Sequence, residues 1–145
     1  MDCEKISSGT CPVGRAVARV GDAWSLLILR DAGLGLTRFD EFQKSLGIAP
    51  NILARRLAAL TADGLLERRR YNERPPRHEY VLTDCGRDYL PILQAIGAWG
   101  RTHFGDGSVV RLVDAETGAP VEPIIVDRVT GRALRDVSVR VAPPA

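Results

Sequence analysis

The chain has 145 residues, 45% of them apolar, and a formal net charge of only +2, which suits one domain or one domain with an appendage. No stretch approaches the ~20 apolar residues of a membrane span, and the charged start Met1-Asp2-Cys3-Glu4-Lys5 leads into no apolar run of the secretory kind. Three cysteines without paired spacing are not a secreted disulfide framework, so a soluble cytoplasmic protein is expected.

Residues 1–10 are polar and read as a flexible arm. Cys11-Pro12 opens a first helix: Pro12 suits the first helical position, where its missing N–H costs nothing, and Cys11 falls at or next to the N-cap. Val13, Val17 and Val20 recur at helical spacing, and Gly21-Asp22 break the helix. A buried second helix follows with Trp24, Leu27 and Ile28 on one side, and Gly33-Leu34-Gly35 turns the chain. Phe39, Phe42 and Leu46 give a short third helix its apolar face. Thr37 and Asp40 are placed as a variant capping box, and Gly47 as an αL terminus.

Ile48-Ala49 forms a turn, Pro50 starts a fourth helix, and Asp63-Gly64 ends it. At about 100° per residue, Leu53, Leu57 and Leu60 share one stripe. Asn51, Arg55 and Ala58 lie opposite, with Ile52 and Ala59 between. Two helices joined this way read as a helix-turn-helix, in which the N-terminal half of the second helix enters the DNA major groove. Asn51 and Arg55 are in that half, and Asn and Arg are common base readers. An ordinary helical hairpin with a solvated face is the alternative.

The next segment bears on that choice. Leu65–Tyr71 reads as a strand, Asn72-Glu73-Arg74-Pro75-Pro76 as a turn, and Arg77–Thr83 as the returning strand, which makes a winged helix. Seven arginines (55, 56, 68, 69, 70, 74, 77) face three acids (Asp63, Glu67, Glu73) between Arg55 and Arg77, a local +4 in a chain of +2. Phosphate binding needs such a local patch, not a basic protein. Thr83 then caps a long helix to about Phe104, with Tyr89, Ile92, Leu93, Ile96 and Trp99 as its apolar stripe and Pro91 as a kink point.

These pieces resemble the HxlR family of bacterial transcription regulators, relatives of the MarR group. The resemblance rests on Cys11-Pro12-Val13, Trp24 to Arg30, Arg38-Phe39-Asp40-Glu41-Phe42, Leu53-Ala54-Arg55-Arg56-Leu57, Asp63-Gly64-Leu65, Pro75 to Tyr80, Leu82 to Gly86 and Trp99-Gly100. It covers roughly residues 10 to 104. It implies a homodimeric winged-helix regulator, usually a repressor, that binds a palindromic double-stranded operator. Ala49 departs from the pattern, since the family more often has Ser or Thr at this helix entry. That loses an N-cap contribution of about 1 kcal/mol, which Pro50 partly offsets.

The expected fold is therefore mainly α (α+β): a winged helix-turn-helix over residues 11–104, flanked by dimerisation helices, with a small β-rich extension over 105–145. The candidate DNA-contacting residues are Thr37, Arg38, Pro50, Asn51, Ile52, Arg55, Arg56, Arg74 and Arg77. Arg56, nearer the leucine stripe, has phosphate or an internal carboxylate as its expected partner. The candidate dimer interface is Val13, Val17, Val20, Tyr89, Ile92, Leu93, Ile96 and Trp99. In several members a Cys at the position of Cys11 senses oxidants or electrophiles. The residues allow the same here, because a helix N-terminus favours thiolate and Arg15 lies one turn on. A small apolar filler is the alternative for Cys11. An oxidant or a small molecule is left open as effector.

Residues 105–145 differ in kind. After the linker Gly105-Asp106-Gly107-Ser108, Val113-Asp114-Ala115-Glu116-Thr117-Gly118 recurs thirteen positions on as Val126-Asp127-Arg128-Val129-Thr130-Gly131. Each unit reads as strand, turn, strand. Some relatives of the family carry a tail resembling a zinc ribbon. Here no Cys follows Cys85, so the tail has no thiolate zinc site, and neither metal nor cofactor is expected. No catalytic constellation is present: there is no Gly-rich phosphate loop, and the two His residues lie far apart in sequence. A non-enzymatic regulator is expected. A winged helix serving only protein interaction and a small thiol enzyme on Cys11, with Cys3 as its resolving partner, are the competing classes.

Overall fold

Leu53, Leu57 and Leu60 are all fully buried, and around them lie Ile28, Leu29 and Phe42, with Val20, Ile48, Leu65 and Leu66 completing the core. The chain, seen in a computed structural model, is described over residues 8–144. Its described residues form α1 (Pro12–Val20), α2 (Ala23–Gly33), α3 (Phe39–Leu46), α4 (Pro50–Ala62), β1 (Leu66–Glu73), β2 (Pro76–Leu82) and α5 (Asp84–Phe104). Two compact units divide between Leu90 and Pro91. The first is a winged helix-turn-helix, α+β as the sequence implied. Most of the expected arm, Cys3 included, lies outside the described residues.

In the first unit α4 packs against α1, α2, α3 and β1. Pro50 stands in its first turn, and Ala49 at the N-cap makes no side-chain bond, as expected. The entry to α3 differs from expectation. Arg38, not Thr37, is the N-cap residue, and Glu41 replaces Asp40 as the reaching carboxylate. Glu41 Oε2 accepts from the N–H of Thr37 (3.0 Å) and of Arg38 (2.9 Å). The longer Glu side chain spans that reach, while the backbone of Thr37 runs beside the wing, its carbonyl accepting from Tyr80 N–H at 2.7 Å. Gly47 ends α3 at φ 61°, the αL conformation anticipated.

The two N–H donors and the Arg38 guanidinium hold the Glu41 carboxyl at about 2, well below its ordinary 4.5. A depressed carboxylate stabilises the fold fully above its unfolded value, and the contribution fades as pH falls through the folded one. Wild type is therefore expected to melt above Glu41→Gln at neutral pH, with the difference closing between about pH 4.5 and 2. Thermal melts across that range check it; a difference independent of pH would remove Glu41 from the cap.

The α2 stripe is turned by one residue from expectation. Ser25, Ile28, Leu29 and Asp31 are buried, while Trp24 and Leu27 are half-buried. Asp22 caps the helix, its Oδ1 accepting from Ser25 N–H at 2.9 Å, which turns Ser25 rather than Trp24 inward. The buried Asp31 accepts from Arg30 Nε (2.8 Å) and Nη2 (2.7 Å).

The wing pairs Leu66 with Leu82, Arg68 with Tyr80, Arg70 with His78 and Glu73 with Pro76, with a bulge between Arg70 and Asn72. The expected five-residue turn contracts to Arg74-Pro75, joined by a cis peptide. Pro76 is accommodated because it opens its strand, a position that needs no ladder donor. Thr83 Oγ1 accepts from Gly86 N–H at 3.1 Å and so caps α5. A Cβ on Gly86 would sit 2.2 Å from the Leu65 carbonyl oxygen, so the first turn of α5 lies directly on the chain between α4 and the wing.

The second unit contains the rest of α5, from Pro91, and the tail. Trp99 stacks edge-on with Phe104 at 5.2 Å. The thirteen-residue repeat is realised bond for bond. Asp114 Oδ1 accepts from Glu116 and Thr117 N–H, and the Asp127 carboxylate from Val129 and Thr130 N–H. Gly118 and Gly131 both stand at φ 71°. The expected hairpins are reduced to a single bridge each, Val113–Pro120 and Val126–Ala133, and a short 3₁₀ turn, Leu134–Asp136, follows. None of residues 105–144 is buried, so side-chain turns rather than a core define the tail.

Candidate nucleic-acid interface

The buried leucine stripe fixes which way α4 faces. Asn51, Ala54, Arg55 and Ala58 are exposed on the far side, and Ile52 is half-buried beside them. Pro50 is exposed at the helix entry, where it starts the helix without needing an N–H partner. The side chains of Asn51 and Arg55 take part in no hydrogen bond or ion pair among the described residues, and they lie one helical turn apart at the N-terminal half of α4.

The basic residues separate into two sets. Some are held by partners within the chain. Arg38 pairs with Glu41 at 3.0 Å, Arg56 with Asp22 at 3.4 Å, Arg69 with Glu67 at 3.1 Å and Arg70 with Glu73 at 3.2 Å. Arg68 Nη2 meets His78 Nδ1 at 3.3 Å. The Glu41 hydrogen bond and charge raise the pKa of Arg38, and Glu67 does the same to Arg69. Arg55, Arg74 and Arg77 form the other set: all three are exposed, and no carboxylate of the described residues pairs with them. Burial, with Arg68 and Arg70 adding their charges, lowers the His78 pKa, so this ring adds no charge to the wing at neutral pH.

Arg56 thus has the internal carboxylate that its place near the leucine stripe suggested, and through it α4 is tied to the cap of α2. Thr37 is half-buried and engaged through its backbone with Tyr80 and Glu41. The Thr37–Tyr80 contact joins residues far apart in the chain through main-chain atoms alone, so no side-chain pattern announces it. The Glu41 cap was within reach: Glu at the third helical position is the usual reaching residue of a capping box.

The candidate interface residues on α1 and α5 also separate. Val13 and Val17 are 67% and 52% exposed, and Ile92, Ile96 and Trp99 are 50%, 46% and 57% exposed. Tyr89 and Leu93 are half-buried, and Val20 belongs to the core of the first unit. Cys11 is exposed and is the N-cap of α1, its Sγ accepting from Gly14 N–H at 3.4 Å. The Arg15 side chain does not turn toward it but donates to the Gly9 carbonyl at 2.7 Å. Cys85 is exposed in the first turn of α5. Among the described residues no group of three or more His, Cys, Asp or Glu is placed to hold a metal ion, and no helix is long and apolar enough to cross a membrane.

The profile of the HxlR-like helix-turn-helix family matches residues 19–108. An HTH-type transcriptional regulator of Mycobacterium tuberculosis is 37% identical over 116 residues, 79% of this chain and 73% of that protein. The crystal structure of PA1607, described as a transcription factor, superposes with a TM-score of 0.82 at 45% identity, over 92% of this chain and 96% of that one. The redox regulator HypR in its reduced form superposes with a TM-score of 0.60 at 32% identity, over 63% of this chain and 92% of that one.

Proposed function

The chain belongs to the HxlR-like helix-turn-helix family of transcription regulators, and from that premise we propose that it is a homodimeric, sequence-specific repressor that reads a palindromic operator. The observation that carries this reading is the division of the basic residues. Arg38, Arg56, Arg69 and Arg70 pair with carboxylates of the chain and Arg68 meets His78, whereas Arg55, Arg74 and Arg77, which have no partner among the described residues, are on the far face of α4 and at the wing tip. In this reading Asn51 and Arg55 contact base edges, with Pro50 and Ile52 against the groove wall. Thr37 and Arg38, at the entry to α3, face phosphate, as does any free edge of Arg56. Arg74 and Arg77 reach phosphate or the minor groove of flanking DNA. The exposed apolar residues of α1 and α5 form the two-fold contact. An interaction-only winged helix has no use for unpaired cations at just these places.

Selection of bound DNA from a random pool tests the function. The expected product is an inverted repeat with half-sites about 34–36 Å apart, one helical turn. On that DNA, Arg74→Ala/Arg77→Ala is expected to weaken binding almost equally for all sequences and to lower the salt slope by up to about 2. Recovery of unrelated sequences, or a double variant with unchanged affinity and salt dependence, would overturn the reading.

Regulation by electrophiles through Cys11 belongs to the same proposal. Its support is the exposed Sγ at a helix N-terminus and the redox role named for HypR. A quinone adds the thiolate at a ring carbon. The ring C=C opens as one C–S bond forms, the hydrogen on the attacked carbon moves to one oxygen, water supplies a proton to the other, and the ring becomes an aromatic hydroquinone thioether. An adduct between α1 helices would change the spacing of the two α4 helices. Operator binding by wild type and Cys85→Ser is expected to fall after quinone treatment, and Cys11→Ser to be spared. Equal loss in Cys11→Ser excludes Cys11 as the sensor.

A further inference from the structure

We infer that the 109–141 tail is an arm that a second copy of this chain receives on the exposed face of its α5, each copy giving its tail to the other. This rests on the homodimer reading above and gives the tail its partner. Val110, Ile124, Ile125, Val129, Val139 and Val141 are 59% to 98% exposed, and none of residues 105–144 is buried. A soluble monomer seldom leaves so much apolar surface to water unless another surface covers it. The tail is also too apolar and too nearly neutral for a solvated disordered extension, which needs low hydrophobicity and high net charge.

The surface that matches it is open as well. At the end of α5, Trp99 and Phe104 stack edge-on at 5.2 Å yet stay 57% and 75% exposed, and Ile92 and Ile96 are about half exposed on the same helix. Ile92, Ile96 and Trp99 follow one another at spacings of four and three residues, so they form one stripe. In a single chain both the tail and this stripe therefore face water. A two-fold axis satisfies both at once, because an isologous contact sets each surface of one copy against the matching surface of the other.

Charge and area favour this occupant over DNA. Between Gly105 and Ala145 five arginines stand against six acids, a net −1, whereas the segment from Arg55 to Arg77 carries +4. Asp114 and Asp127 spend their carboxylates on their own turns, so the turns are set without a partner and the apolar segments beside them remain on offer. An obligate homodimer buries about 2,000 Å² or more in total around an apolar centre. Val13, Val17, Ile92, Ile96 and Trp99, each about half exposed, fall short of the roughly 1,000 Å² per chain that this implies, and the tail supplies the remainder.

Sedimentation equilibrium of the full chain without DNA, over a range of protein concentrations, tests the arm. Ile124→Asp/Ile125→Asp is expected to raise the dimer dissociation constant about tenfold or more. Arg128→Asp, at an exposed turn position, changes the net charge by the same amount and should leave the constant within about twofold. The tail has no core to lose, and thermal melts confirm that the first unit stays folded in both variants. A benzophenone side chain placed at position 124 and activated by light then reports what the arm touches. The expected product has twice the chain mass, with the bond mapped to α5. A product of single-chain mass, a bond outside α5 or no covalent product would overturn the arm. So would a double variant that dimerises as tightly as wild type, or equal weakening by Arg128→Asp. A wild type that is monomeric at every concentration would take the homodimer reading down with it, whereas a tight dimer in both wild type and double variant removes the arm alone.

Discussion

Leu57→Ala is expected to destabilise the first unit by about 2–5 kcal/mol, a large part of the 5–15 kcal/mol typical of a domain. Leu57 is fully buried between Leu53 and Leu60, at the place where α4 meets α1, α2, α3 and β1. Truncation removes the transfer free energy of the side chain and leaves a cavity that the surrounding helices close only in part. In urea the midpoint should fall while the slope stays constant, the signature of lost stability without a change in the surface exposed. Ala58→Ser, one position on and exposed, should shift the midpoint by no more than about 0.5 kcal/mol equivalent. The same leucines that hold the fold also aim Asn51 and Arg55 outward, so loss of Leu57 should reduce DNA binding in proportion to the unfolded fraction. An unchanged midpoint for Leu57→Ala would mean that the stripe does not anchor α4.

The α4 stripe was legible because its apolar residues repeat at the period of the helix and nothing else in that segment competes for the core. The same holds for the Thr83 cap, the αL turn at Gly47 and the Asp-x-x-Thr-Gly turns of the tail, each set by residues within a few positions of one another. What the sequence hid depends on distant partners or on side-chain reach. The α2 face turned by one residue because Asp22 takes Ser25 as its capping partner. The cap of α3 moved from Thr37 to Arg38 because Glu41, not the shorter Asp40, reaches back and because β2 holds the backbone of Thr37. At the candidate interface, position on α4 was readable from helical geometry. The charge state of the surface was not: seven arginines counted alike in the sequence, yet Arg56, Arg69 and Arg70 spend their charge on Asp22, Glu67 and Glu73. The repeats of the 105–145 extension read as strand, turn, strand with Gly at the turn, a preference of local sequence alone. Without a core to pack against, that preference yields only isolated bridges.

Arg55→Ala is expected to lower affinity for the selected operator by roughly 1–3 kcal/mol, about 5- to 150-fold, and to relax preference at one base pair of each half-site. The argument begins with direction. Leu53, Leu57 and Leu60 are fully buried, so Arg55 points away from the core, one turn after Asn51 in the half of the helix that enters the groove in this motif. It continues with availability. The neighbouring Arg56 is drawn to Asp22 at 3.4 Å, whereas the Arg55 guanidinium has no partner within the described chain and keeps its planar fork for the acceptor pair of a guanine. Arg55→Lys separates charge from geometry: it keeps the positive charge but not the two-bond fork. The Lys variant should therefore retain the salt dependence of wild type while losing most of the discrimination, and the Ala variant should lose discrimination and about one unit of salt slope. Titrations of all three proteins on intact and scrambled operators, at several salt concentrations, read both quantities. If Arg55→Ala discriminates between the two DNAs as wild type does, Arg55 is not a base reader, and Asn51 alone carries that role on the exposed face of α4.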